Sequence, residues 1–112
     1  MALTAEQVLV AGLELISDPK RWTKGAWARD KRGFGVGSCT EEAVCWCSDG
    51  AVNKVINGKN LPLELEVERA LGQAAQRRGF NSFVGFNDHC TKTHEDVIAM
   101  WRDAIEIIRS KS

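Results

Sequence analysis

Thr93-His94-Glu95-Asp96-Val97-Ile98-Ala99-Met100-Trp101-Arg102-Asp103-Ala104-Ile105-Glu106-Ile107-Ile108 is the stretch that decides the fold class. Thr93 stands where a helix N-cap belongs, and Asp96 sits at the third helical position behind it. Val97, Trp101, Ala104 and Ile108 then recur at steps of four, three and four, with Ile98 and Ile105 adjoining. That is the period of a helix burying one face.

The N-terminal end repeats the design. Thr4-Ala5-Glu6-Gln7 reads as a capping box. A helix is predicted over about Ala5 to Ile16, with Leu9, Leu13 and Ile16 on one stripe and Asp18-Pro19 ending it. Between these two segments a helix is predicted from a Thr40 cap to about Ile56, with Glu41 and Glu42 in its first turn and Ala43, Cys47, Ala51 and Val55 on one face. Another is predicted from Pro62 to Arg78, closed by Gly79. Asp30-Lys31-Arg32-Gly33 is a turn signal, placing a short hairpin over Ala26–Arg29 and Phe34–Gly37. Phe80 to Lys92 reads as an irregular connection. The expectation is a mainly α chain: about four helices with a small β-hairpin-like element between the first two, in one globular domain over residues 1–112.

Composition agrees with a globular chain. Hydrophobic residues make up 44% and charged residues 27% of the 112, and a domain of this size hides roughly 65% of its extended-chain surface. Fifteen Lys and Arg match fifteen Asp and Glu, a balance that argues against a duplex nucleic-acid binder. The N-terminal segment has no basic start, and its apolar run Val8–Leu13 is far below the ~20 residues of a membrane span. A cytoplasmic location is expected, with Cys39, Cys45, Cys47 and Cys90 as free thiols.

Three chemistries deserve weighing. Cys45, Cys47, His89, Cys90 and His94 supply enough donors for zinc. A helix through Cys45 and Cys47 would separate them by about 200°, however, so no metal is expected and these cysteines read as small core residues. Cys39 before the Thr40 cap, or Cys90 four residues from His94, could form a nucleophile–base pair, yet neither carries a family-type signature. Asp88 could orient His94 across the intervening loop, with His94 at a helix N-terminus where anions bind. The plain alternative is that Asp88 and Thr93 satisfy backbone amides.

Lys20, Arg21, Lys24, Arg29, Lys31 and Arg32 crowd one segment opposed by Asp30 alone, with Trp22 and Trp27 interleaved. Indole stacking with guanidinium contacts would suit a phosphate-bearing ligand; a solvated hairpin with inward tryptophans fits the same pattern and is the favoured reading of this segment taken alone. There is no P-loop, G-x-G-x-x-G, H-E-x-x-H or paired-carboxylate motif, and no cofactor is implied.

Trp22-x-x-Gly25, Ala43-Val-Cys-Trp46-Cys47-x-x-Gly50-Ala51, Phe86-Asn87-Asp88 and Thr93-His94-x-Asp96-Val97 together resemble a family of small uncharacterised proteins of bacteriophages, prophages and their bacterial hosts. The likeness runs from about Ile16 to Ile105. It implies no catalytic role. It does imply packing for Cys47, whereas Cys45 and His89-Cys90 fall outside the shared pattern. A phage setting implies a small protein that binds and blocks. The leading expectation is therefore a non-enzymatic binding module for a small anionic, nucleotide-like ligand or a host protein surface. Its expected contacts are Trp22, Lys24, Trp27, Arg29, Asn87, Asp88 and His94. The alternatives are a small hydrolase or transferase using His94 with Asp88, and a purely structural or interaction protein. A homodimer is compatible with each.

Overall fold

The computed structural model describes residues 3–111. Helix α5 (His94–Ser110) begins as its sequence dictates: Thr93 Oγ1 accepts from Asp96 N at 3.2 Å, and Asp96 Oδ2 accepts from Thr93 N at 2.9 Å. The bond from the Thr93 amide holds the Asp96 carboxyl below its ordinary range. Helix α1 (Ala5–Leu15) carries the reciprocal Thr4–Gln7 box, and Ile16 becomes its C-cap. Val8, Leu9 and Ile16 are fully buried, and α1 packs against α2, α5 and α3.

The α1–α5 crossing is close. A Cβ on Gly12 would lie 2.5 Å from the ring of Trp101, which is itself fully buried. Gly12 is needed for lack of space.

The predicted hairpin exists, as β1 (Ala28–Arg29) and β2 (Gly35–Val36), joined by a turn in which Asp30 Oδ1 accepts from Arg32 N and Phe34 N. Gly33 supplies the positive φ of 89° that this turn requires. A third strand, β3 (Cys45–Trp46), pairs antiparallel with the other side of β1, giving the order β2-β1-β3.

This strand corrects the expected second helix. Thr40 caps nothing; its hydroxyl donates to Gly37 O at 2.8 Å in a turn. Cys45 and Trp46 are extended because β1 offers them a backbone partner. Helix α2 (Ser48–Ile56) begins only after Cys47, whose Sγ caps it by accepting from Gly50 N at 3.3 Å. The expected separation of Cys45 and Cys47 around a helix therefore does not apply.

Helix α3 (Leu61–Gln76) has Asn60 as its cap and Pro62 in its first turn, and Gly79 turns the chain beyond it at φ 84°. The connection read as irregular contains a further helix, α4 (Phe83–Asp88), capped by Ser82 Oγ and anchored by Phe83 and Phe86 in the core. The fold is mainly α, with five α-helices and one small sheet among the described residues. No helix among them is long and apolar enough to cross a membrane.

Candidate functional site

The C-terminal end of α4 meets the start of α2 around Asn87, which is 1% exposed. Asn87 Oδ1 accepts from Trp22 Nε1 at 2.8 Å, Ser48 N at 3.0 Å and Ser48 Oγ at 2.8 Å. Its amide nitrogen donates to Thr23 O at 3.1 Å and to Asp88 Oδ1 at 2.8 Å. The three donors on one side and two acceptors on the other fix which end of the amide is oxygen. Trp101 Nε1 extends the chain inward, donating to Ser48 Oγ at 2.9 Å. No buried side-chain nitrogen or oxygen among the described residues is left without a partner, so this network is closed and rigid.

Above it lies an open cleft of about 350 Å³, lined by Gly25, Ala26, Trp27, Cys47, Asp49, Val84 and Asp88. Gly25 N donates to Asp88 Oδ1 at 3.1 Å, tying the loop after Trp22 to the end of α4. Trp27 stands at the rim with 59% of its surface exposed, and its Nε1 donates to Asp49 Oδ2 at 2.9 Å. The indole is thereby oriented with its faces free of that bond. One oxygen of each carboxylate, Asp49 Oδ1 and Asp88 Oδ2, accepts no hydrogen bond from the described residues. Neither carboxylate has a Lys or Arg partner there.

Cys47 forms part of the cleft wall. Burial pushes its thiol up, outweighing the amides of Gly50 and Asp49 that pull it down, and the charges of Asp49 and Asp88 push it further. A thiol held protonated is a poor nucleophile. In native protein treated with iodoacetamide at pH 7.5, exposed Cys39 and Cys90 should be alkylated roughly 100-fold faster than Cys47. Peptide mass spectrometry would read the rates. Equal rates would show that Cys47 is open to solvent as a thiolate.

The other expected contacts are placed elsewhere. Lys24 Nζ donates to His89 O and Lys92 O, both at 2.5 Å, and lies 5.5 Å from the centre of the Trp22 ring. Arg29 donates to Thr23 Oγ1, Gly33 O and Lys24 O within 3.0 Å. Both cations brace loops. His94 donates through Nε2 to Ile16 O at 2.6 Å and packs against Trp22, with ring centres 5.6 Å apart. It borders a separate depression with Leu13, Glu14, Ser17, Glu95, Ile98 and Arg102.

Asp88 and His94 are not hydrogen-bonded to one another, so the expected orientation of the imidazole by Asp88 is corrected: a backbone carbonyl fixes it. Of the seven expected contacts, Trp27 and Asp88 share the cleft, Trp22 and Asn87 connect to it through the polar network, and Lys24, Arg29 and His94 do not line it. Asp49, Cys47 and Val84 join it without having been expected. Among the described residues no three His, Cys, Asp or Glu side chains gather as a metal site would need.

A family model described as "Family of unknown function (DUF6197)" matches residues 1–107. The chain belongs to that family. No curated protein and no solved structure matches it. Within this DUF6197 chain the match takes in every residue of the cleft and of the polar network beneath it.

Proposed function

We propose that this DUF6197 chain is a non-enzymatic binding module whose Trp27–Asp49–Asp88 cleft receives a basic side chain from a partner protein. One observation carries the reading: an exposed indole is flanked by two carboxylates that have no cationic partner of their own. A guanidinium or ammonium there would gain the aromatic face and one or two charge-assisted hydrogen bonds. The nucleotide-like anion is less well supported, because Lys24 and Arg29 are directed to carbonyls and the cleft wall is acidic. The resemblance to phage and prophage proteins suggests a host protein as the partner and the cytoplasm as the setting.

The probe is N-acetyl-argininamide, titrated into isotope-labelled protein and followed by amide and indole NMR. Millimolar binding is expected, with the Trp27 indole and the amides of Gly25, Asp49 and Asp88 shifting together. Asp49→Asn should weaken it about tenfold, the order of one lost charged hydrogen bond. Adenosine monophosphate serves as the anionic arm. Shifts with the nucleotide and none with argininamide would overturn the reading.

A further inference from the structure

The acidic character does not end at the cleft. Glu68, half-buried on α3, lies close enough to Asp49 to feel its charge; burial first, then Asp49 and Glu64, push its carboxyl above the ordinary range. No Lys or Arg among the described residues pairs with Asp49, Glu64, Glu68 or Asp88. Elsewhere Asp103 holds Arg77 and Arg78, and Glu6 and Glu106 hold Arg109, while other acids among the described residues, such as Glu14, Glu41 and Glu95, stand unpaired too; what sets this group apart is that Glu68 feels the charges of both Asp49 and Glu64. Like charges left together repel one another and are relieved by an incoming cation.

The same side of α3 carries exposed apolar residues beside its acids, with the exposed Arg69 at its edge. Leu61, Leu65 and Glu68 follow one another at steps of four and three, so they share a helix face about 10 Å long. Leu61 is 62% exposed and Leu65 49% exposed. Val84 at the cleft wall adds a further exposed apolar side chain, on the helix that packs beside α3. A single side chain in the cleft would leave these leucines in water.

We infer that the partner is a basic amphipathic helix lying along α3, with one cationic residue in the Trp27–Asp49–Asp88 cleft and its apolar residues over Leu65 and Leu61. This inference rests on the proposed cleft function and extends it from one side chain to a segment. Charge complementarity selects the occupant: two apolar anchors interspersed with unpaired carboxylates fit a helix carrying Arg or Lys beside Leu, the groove mode of helix recognition. A membrane surface rich in anionic lipid would be repelled by the same carboxylates.

Two probes separate the inference from the reading under it. One is N-acetyl-argininamide; the other is a synthetic Arg/Leu helix of about 14 residues, about 21 Å long. The peptide is expected to shift the cleft amides together with those of Leu61, Leu65 and Glu68, and to bind at least tenfold more tightly than argininamide. Leu65→Ser, at an exposed position, should cut peptide affinity about fivefold and leave argininamide binding unchanged. If argininamide binds and the peptide moves only cleft amides, the inference fails while the cleft function stands. If neither probe reaches the cleft, both fall. Shifts of the α3 amides that depend on the protein's own concentration would overturn the inference in favour of a second copy of the chain.

Discussion

Asn87→Leu should remove about 3–5 kcal/mol of stability, a large part of the 5–15 kcal/mol typical of a domain. Asn87 is 1% exposed and receives three donors on one oxygen. Leucine would leave Trp22 Nε1 and Ser48 N facing hydrocarbon, each costing about 1–3 kcal/mol, and Ser48 Oγ would lose its acceptor. Urea unfolding measures the total, and the thermal midpoint should fall by about 15 °C. Trp22→Phe removes one donor with its partner still solvable by the others, so it should cost only about 1 kcal/mol. The double variant should then be less destabilised than the sum of the two, because the orphaned indole N–H is already gone. A loss within 0.5 kcal/mol of zero for Asn87→Leu, or strict additivity, would show that the network does not hold α4 to α2.

Gly50→Ala should be comparably severe for a different reason. Gly50 lies inside α2, and a Cβ there would fall 1.8 Å from Trp27 O and 2.7 Å from Trp27 C. Both obstacles are backbone, and Trp27 O also accepts from Cys47 N at 3.1 Å. No rotamer relieves the overlap; β1 and α2 must separate. A loss of about 3 kcal/mol or more is expected, at the upper end for overpacking, and the displaced Trp27 should no longer answer argininamide. Gly72→Ala is the control. It makes the same change inside α3, where a Cβ meets nothing within 4 Å. There the expected outcome is a gain of about 0.5–1 kcal/mol from helix propensity and chain entropy. One substitution should thus act with opposite signs at two helical glycines.

The parts of this fold that can be read from the sequence are those decided locally. The caps at Thr4 and Thr93 depend on residues within a few positions, and they stand as expected; α3 ends at Gln76, two residues short of the expected Arg78, with Gly79 taking its positive φ two residues past the Arg77 C-cap. Thr40-Glu41-Glu42 carries an equally good local cap signal and starts no helix, because β1 pairs with Cys45 and Trp46 from about sixteen residues away. Helix α4 is two turns at most and contains a glycine, too short for a period to register.

The site divides along the same line. Trp27 and Asp88 announce themselves as aromatic and acidic residues in turn-rich segments. Lys24 and Arg29 read as available because, apart from Thr23 Oγ1 on Arg29, their partners are backbone carbonyls, which a sequence of side chains does not display. Asn87 looked like a ligand contact and is an internal bolt; its partners Trp22 and Ser48 lie 65 and 39 positions away. Asp49 carries no motif of its own. Its place in the cleft wall comes from the fold, which sets the Trp27 indole against it.

The bare Cα of Gly12 has a consequence for how such a chain can vary. Any side chain at position 12 requires a smaller ring at position 101, and a smaller ring that lacks an indole N–H withdraws the donor that holds Ser48 Oγ. Ser48 in turn helps to set Asn87 beneath the cleft. Positions 12, 101, 48 and 87 therefore form one heritable unit spread over four helix segments. Drift at the buried α1–α5 crossing would be felt at the cleft before any residue lining it had changed, and grafting this cleft onto another scaffold would require transplanting that crossing with it.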